Sequence, residues 1–171
     1  MLDRLPELID PLSFADKQSR LSGQIPLDHF ERLKQLLTDD SGSVSIDLAF
    51  GRKGKLAIVE GHVRATLTLE CQNCLNPIDL QVDCRVKLGI VGSMAEADRL
   101  PEEFEPLMVP KGKIPLKDIV EDEILLAIPS FPKHAEQCIA TQDHADNSGI
   151  EKTDTNNPFL ILAKLKQTGV K

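Results

Sequence analysis

Three long segments of the chain alternate apolar and polar residues with a period of two, and this pattern constrains the fold more than any other feature. The clearest alternation runs through residues 78–90, and the others cover residues 44–50 and 59–69. Such alternation is typical of a β-strand that buries one face. Three consecutive strands of this kind predict an antiparallel meander with one face open to a covering layer.

Two segments with the 3.6-residue period of a helix lie on either side of these strands. The first follows Pro26, and the second ends at Pro129. The apolar stripe of the first comprises Leu27, Phe30, Leu33, Leu36 and Leu37, and that of the second comprises Leu116, Ile119, Val120, Ile124, Ala127 and Ile128. The prediction is an α+β fold, in which two amphipathic helices pack on an antiparallel β-sheet meander.

Shorter features complete the predicted sheet. Residues around Gly23 form a short strand before the first helix, and Gly61 is a candidate β-bulge. Residues 104–109 predict an edge strand, because Pro106 and Pro110 do not suit a central one.

The chain is expected to comprise one α+β domain and a tail. Residues 1–138 form the domain, residues 139–156 a flexible acidic linker, and residues 157–171 a short C-terminal helix. Asn157 is its expected N-cap, and Pro158 occupies its first helical position. A helix this short is marginal in water, so its apolar stripe predicts docking onto a partner. That stripe consists of Phe159, Leu162 and Leu165.

Charge and composition narrow the classes of function. The formal net charge of -7 argues against a protein that binds nucleic-acid phosphates over its whole surface. The acidic N-terminus lacks the features of a secretory signal, and no apolar run approaches the roughly 20 residues that span a bilayer. Four cysteines in such a chain indicate a reducing compartment. We expect a cytoplasmic protein with no membrane and no small-molecule substrate.

Four residues form a candidate metal site. Cys71 and Cys74 have the C-x-x-C spacing that lets two thiolates reach one ion, and His134 with Cys138 would complete four ligands. Such a closed set predicts structural zinc rather than catalysis. The alternatives are unlinked reduced thiols or a redox motif. Cys84 is in phase with the aliphatic residues of its strand and is expected in the core.

Acidic residues on the second helix raise a catalytic alternative. Asp118, Glu121, Asp122 and Glu123 resemble the carboxylates with which nucleases hold divalent cations. They also suit the solvated face of a helix near its N-terminus, and no general base accompanies them. The sequence therefore favours a protein without catalytic residues.

Basic residues form a candidate RNA contact. Arg52, Lys53 and Lys55 lie at the predicted tip of the first hairpin. Lys111, Lys113 and Lys117 are candidates to extend the patch. The same residues equally serve to keep turns solvated, and without interleaved aromatic residues there is no platform for stacking bases.

Several motifs resemble those of the YceD family, the large ribosomal RNA subunit accumulation proteins. They are the string at residues 69–74, the string at residues 120–129 and the ending Asn157-Pro158-Phe159 with its following residues. Gly23-Gln24-Ile25 and residues 100–106 agree in order, so the resemblance covers nearly the whole chain.

The resemblance implies a non-catalytic accessory factor in ribosome biogenesis, which supports synthesis, processing or accumulation of large-subunit ribosomal RNA. Its implied partners are ribosome-assembly proteins or pre-ribosomal RNA-protein particles. The alternatives are a zinc-stabilised RNA-binding module and a carboxylate-dependent metal nuclease.

Overall fold

A six-stranded sheet organises the part of the chain that the computed structural model describes, which comprises residues 5–109, 112–135 and 138. In chain order the strands are β1 Leu8–Ile9, β2 Arg20–Pro26, β3 Leu37–Asp39, β4 Ser43–Lys53, β5 Leu56–Glu70, β6 Pro77–Val91, β7 Glu105–Met108 and β8 Ile114–Pro115. The helices are α1 Pro11–Asp16, α2 Glu31–Lys34, α3 Met94–Ala97 and α4 Leu116–Ala127, and a 3₁₀ turn spans Leu27–His29.

The predicted meander of β4, β5 and β6 is confirmed. The strand order is β2-β4-β5-β6-β7, and β3 lies beside β5 off this path. Neighbouring strands run antiparallel except β7, which pairs parallel with the end of β6. The edge strand predicted at residues 104–109 is therefore present. A separate antiparallel pair joins β1 to β8.

The core lies where α4 and the 3₁₀ turn meet one face of this sheet. Val59 and Leu67 of β5 and Ile124 of α4 are completely buried. Each fully buried aliphatic side chain contributes roughly 1.5–3 kcal/mol relative to exposure. The mixed α+β class follows from this two-layer packing, as the sequence predicts.

The first predicted helix is shorter than expected. Phe30 has an extended backbone (φ -98°, ψ 109°), so the 3₁₀ turn and α2 are separate. Leu37 does not continue a helix but pairs with Leu69 of β5. A strand ladder next to the core outweighs the helical preference of leucine, since tertiary context overrides propensity.

Gly61 is not at a bulge, so that expectation is wrong. The register between β4 and β5 runs without a shift from Ser45 to Lys53. A Cβ atom at Gly61 would lie 2.0 Å from the backbone oxygen of Asp47. Glycine is needed here because the two strands approach closely, not because the ladder is interrupted.

Helix α1 has a sequence signal that periodicity does not detect. Asp10 is its N-cap, and its side chain accepts a hydrogen bond from the backbone N–H of Ser13 at 3.1 Å. Pro11 follows in the first helical turn. Phe14 of α1 then packs edge-on against Phe50 of β4, with ring centroids 5.3 Å apart. No helix within the described residues is long and apolar enough to cross a bilayer.

Candidate metal centre

The turn between β5 and β6 brings two cysteines together. The backbone N–H of Cys71 donates to the carbonyl of Asn76 at 3.0 Å, and the N–H of Leu75 donates to the carbonyl of Cys71 at 2.9 Å. Leu75 adopts a φ of 62°, a left-handed conformation that is unusual for a residue with a side chain. This tight loop places Cys71, which is buried, and Cys74, which is half-buried, on the same side.

The segment after α4 returns to this turn. Helix α4 ends at Ala127, and Pro129 follows the C-cap residue Ile128. The carbonyl of Pro132 then accepts a hydrogen bond from the backbone N–H of Gln72 at 2.8 Å. This backbone contact helps to hold the returning chain beside the loop, where His134 and Cys138 lie close to both cysteines.

The four predicted ligands lie together. The Sγ atoms of Cys71, Cys74 and Cys138 and a ring nitrogen of His134 are all within 4.8 Å of one another. Among the described residues, this is the one group of three or more such side chains close enough to hold a metal ion. The arrangement can therefore hold one ion with four protein ligands.

The separations fit a tetrahedral ion. The Sγ atoms of Cys71 and Cys138 are 3.7 Å apart, and the Sγ of Cys74 is 3.5 Å from Nδ1 of His134. Zinc with Zn–S distances of about 2.3 Å and a Zn–N distance of about 2.05 Å would separate two thiolates by about 3.8 Å and a thiolate from a nitrogen by about 3.6 Å. Two opposite edges of the tetrahedron thus have the required lengths.

Electrostatics favour a thiolate at Cys71. Burial alone would raise the pKa of this thiol. Backbone N–H groups of Asn73, Cys74 and His134 point towards its sulfur, and together they lower the pKa of Cys71 to about 5. The thiolate is the form of cysteine that binds metals, so the loop backbone already favours the ligand state.

Asn73 supports the second thiolate. Its side-chain Nδ2 donates to the Sγ of Cys138 at 3.3 Å, and this hydrogen bond is the main cause that lowers the pKa of Cys138. Hydrogen bonds to the sulfurs of Cys138 and Cys71 raise the pKa of His134. Asn73 was not singled out by sequence reasoning. Its position between the two cysteines is the signal that could have indicated such a role.

Cys84 is separate from this cluster. It lies half-buried on β6, and its Sγ donates to the backbone oxygen of Glu123 at 3.4 Å. Burial raises the pKa of this thiol. The side chain packs against the core, as the alternation of its strand predicts.

The acidic residues of α4 do not form a cage. Glu121 is buried, which contradicts the expected solvated position. Its Oε1 accepts hydrogen bonds from the backbone N–H groups of Arg32 and Leu33 at 2.8 and 2.9 Å. The carboxylate thus satisfies the N-terminal donors of α2, which the sequence of that short helix does not cap itself.

The neighbouring carboxylates have other surroundings. Asp122 is exposed and pairs with the guanidinium of Arg32 at 2.7 Å. Burial, with help from Glu105, raises the pKa of Glu123 to about 6. Asp118 is half-buried. Among the described residues, no group that could hold a metal includes these side chains.

The basic residues of the hairpin tip are largely paired. Arg52 donates to Asp16 at 2.6 Å, and Lys53 pairs with Glu103. The ammonium of Lys53 also lies 5.3 Å from the centroid of the Phe104 ring. Lys55 is exposed.

The remaining basic candidates are scattered. Lys117 lies 3.8 Å from Glu31 in a loose ion pair, and Lys113 is exposed. Lys111 lies outside the described residues. So do the predicted linker 139–156 and the docking residues of the predicted C-terminal helix, which are Phe159, Leu162 and Leu165.

Comparisons with known proteins identify the family. Residues 59–166 match the family described as large ribosomal RNA subunit accumulation protein YceD. A protein of that name from Haemophilus influenzae is 31% identical over 169 residues, which cover 96% of this chain and 97% of the relative. No solved structure matches the chain. The chain belongs to the YceD family.

Proposed function

We propose that this protein is a non-catalytic, cytoplasmic accessory factor in ribosome biogenesis that supports the accumulation of large-subunit ribosomal RNA. The observation that carries the proposal is its similarity to the Haemophilus influenzae relative, which extends over 96% of the chain. That relative is named for the accumulation of this RNA. Because the alignment covers nearly all of both chains, the similarity is not confined to one shared subdomain. It therefore argues that the two proteins act in the same cellular process.

The cysteine and histidine cluster has a structural role within this proposal. Three thiolates and one imidazole are the ligands that zinc prefers, and four protein ligands leave no position for water or substrate. The ion would join the loop after β5 to the chain after α4. Its contribution is to the folding free energy, because such a site does not exist in the unfolded chain.

The surface of this protein suits contacts with proteins or pre-ribosomal particles better than contacts with free RNA. Arg52 and Lys53 are already paired with carboxylates, so binding phosphate would require breaking those pairs. The net charge of -7 repels a polyanion at long range. The expected partners are ribosome-assembly proteins or pre-ribosomal particles, and residues 157–171 remain the predicted docking segment.

Ribosomal RNA in a deletion strain tests the proposed function. Loss of the gene should lower mature large-subunit RNA relative to small-subunit RNA, measured by quantitative electrophoresis across growth temperatures. Expression of the full chain should restore the ratio. Expression of a chain truncated after residue 156 should restore much less if residues 157–171 dock onto the partner. Equal ratios in the deletion and parental strains would contradict the proposal.

The nuclease alternative has its own test. Asp118→Asn with Asp122→Asn removes two carboxylates from α4 without touching Glu121, which the α2 N-terminus needs. This double variant should restore the RNA ratio fully. Failure of a well-folded double variant to restore it would favour a metal-dependent nuclease.

A further inference from the structure

The outer edge of β6 lacks a neighbouring strand along most of its length in the described part of the chain. On one side, β6 pairs with β5 from Pro77 to Ile90. On the other side, pairing with β7 covers only Leu88 to Val91. Residues 77–87, which we call the open edge, span about 36 Å at about 3.3 Å per residue.

The backbone of the open edge is free to bind another strand. In an antiparallel pair, alternate residues direct their N–H and C=O groups away from the neighbouring strand. None of the described backbone hydrogen bonds outside regular elements involves residues 77–87. A row of such donors and acceptors is a template for strand addition.

The open edge also lacks two of the usual protections of edge strands, a β-bulge and an internal proline. Its register with β5 has no bulge, and its one proline, Pro77, is the first residue of the strand. Asp79 accepts a hydrogen bond from Thr68, and Asp83 accepts one from Arg64, both on β5. These contacts draw the two carboxylates towards their own sheet and leave the edge accessible, and the second oxygen of Asp79 has no partner among the described residues.

Some apolar side chains along the open edge are incompletely covered, whereas Val82 and Val86 are already buried by the core. Ile78, Leu80 and Cys84 face the core side but are only half-buried. Leu88, beside β7, is buried. An added strand would cover the exposed parts of these side chains as β7 covers its neighbours.

The sequence of the open edge is complementary to itself in one antiparallel register. When two copies are aligned about Val82, the midpoint of the open edge, Asp79 of each copy lies opposite Arg85 of the other. Gln81 then lies opposite Asp83 on the same exposed side. On the core side, Ile78 lies opposite Val86, Leu80 opposite Cys84, and Val82 opposite its own copy. Opposite charges and apolar pairs directly across an antiparallel ladder are stabilising.

We propose that two copies of this chain associate through the open edge, in the antiparallel register centred on Val82, so that one sheet continues through both. The contact uses the same surface on each copy, as two-fold symmetry requires. It ends at Lys87, where β7 begins to cover β6, so the incoming strand displaces no existing pairing. Arg85 is exposed and has no ion-pair partner among the described residues, and the second copy supplies one.

Sedimentation of the full chain over a range of concentrations tests this association. Arg85→Glu replaces two attractive cross-strand pairs with two repulsive ones, so the dimer dissociation constant should rise roughly tenfold. Asp79→Arg should weaken association similarly. An equimolar mixture of the two variants should restore it, because each contact in the mixed dimer again joins opposite charges. Lys55→Glu makes the same charge change at the hairpin tip and should leave the constant unchanged.

Hydrogen exchange supplies an independent readout on the same samples. Outward-facing amides between Ile78 and Val86 should become protected as concentration rises in the unmodified protein, and not in the folded Arg85→Glu variant. A monomer at all concentrations, a dimer insensitive to Arg85→Glu, or a mixture that fails to associate would each overturn the proposal. Protection that appears only after another protein is added would also overturn it, in favour of strand donation by that protein.

Discussion

The two turns that bound β5 are built in different ways. The first joins β4 to β5 through Gly54 and Lys55, and Lys53 pairs directly with Leu56. Gly54 has a φ of 66°, which glycine adopts without strain and which fits a type II′ hairpin turn. The local sequence suits this turn, and its ion pairs with Asp16 and Glu103 lie at the surface.

The second turn, between β5 and β6, depends on distant residues. Leu75 adopts nearly the same φ, 62°, but carries a side chain that disfavours it. Its support comes from chain some sixty residues away: the Pro132 carbonyl holds Gln72, and the cluster includes His134 and Cys138. One turn is thus stabilised locally, and the other requires tertiary contacts and, in our proposal, a metal.

Loss of a ligand should have the largest effect. Cys71→Ser should abolish metal binding and lower the unfolding free energy by several kcal/mol, because metal-binding energy contributes directly to folding. Metal content and thermal unfolding of the purified protein measure both effects. Cys84→Ala is the matched control, since this thiol lies outside the cluster. It should retain the metal, and equal metal loss in both variants would contradict the ligand assignment.

Loss of the buried carboxylate of α4 should rank second. Glu121→Gln leaves the N-terminal donors of α2 with a weaker acceptor and should lower the unfolding free energy by about 1–3 kcal/mol. Asp122→Asn, at the exposed neighbouring position, should cost less than about 1 kcal/mol. Denaturant unfolding at pH 7 measures both. Equal costs would contradict the capping role of Glu121.

Glu121 should also make the stability of the protein depend on pH. Burial would raise the pKa of Glu121, but hydrogen bonds from the backbone of Leu33 and from Arg32 outweigh it and lower the pKa. A carboxyl group with a lowered pKa in the folded state stabilises the protein above its unfolded pKa, and this stabilisation is lost as pH falls through the folded value. The difference in stability between the unmodified protein and Glu121→Gln should therefore shrink below about pH 4.3. A difference independent of pH would contradict the ionised cap.

Substitution of the positive-φ residue in each turn, Gly54 and Leu75, tests the comparison of the turns directly. Gly54→Ala should destabilise by about 1 kcal/mol, because nothing obstructs the new Cβ but the backbone conformation disfavours it. Leu75→Gly should cost nothing or stabilise slightly, since relief of strain offsets the entropy of glycine. Chemical denaturation of both variants with the metal bound measures the effects. Destabilisation by Leu75→Gly equal to that by Gly54→Ala would show that the second turn carries no strain.

The ion pairs at the hairpin tip should matter least. Arg52→Ala removes the contact with Asp16 at the surface and should change the unfolding free energy by less than about 1 kcal/mol. The effect should decrease further in high salt. A loss as large as that for Glu121→Gln, measured in the same denaturant series, would show that the first turn also depends on tertiary contacts.

The sequence predicts those features that depend on local periodicity. The alternation of β4, β5 and β6 and the stripe of α4 locate these elements because each buries a regular face. The predicted helix after Pro26 is too long because Leu37 pairs with β5 instead of continuing the helix. No local sequence pattern indicates that strand pairing is favoured over the helix at this residue. Similarly, the burial of Glu121 follows from the approach of α2 to α4, which sequence spacing does not encode.

The candidate site is likewise only partly predictable from the local sequence. The spacing of Cys71 and Cys74 is local and indicates half of the cluster. The proximity of His134 and Cys138 depends on the backbone contact between Gln72 and Pro132, which joins segments far apart in the chain. The sequence alone therefore gives the proximity of the four ligands only as a hypothesis. In the structure, the chain that follows α4 brings His134 and Cys138 to the two other cysteines.

The metal in full-length protein, purified without chelators, tests the central claim most directly. X-ray absorption at the zinc edge, combined with elemental analysis, should give one equivalent of zinc bound by three sulfur atoms at about 2.3 Å and one nitrogen at about 2.0–2.1 Å. In Asn73→Ala, which loses a hydrogen bond to the Cys138 sulfur but no ligand, the same coordination should persist with weaker affinity. Far less than one equivalent of metal, or a coordination shell that includes water oxygen in place of one sulfur, would contradict the proposed closed site.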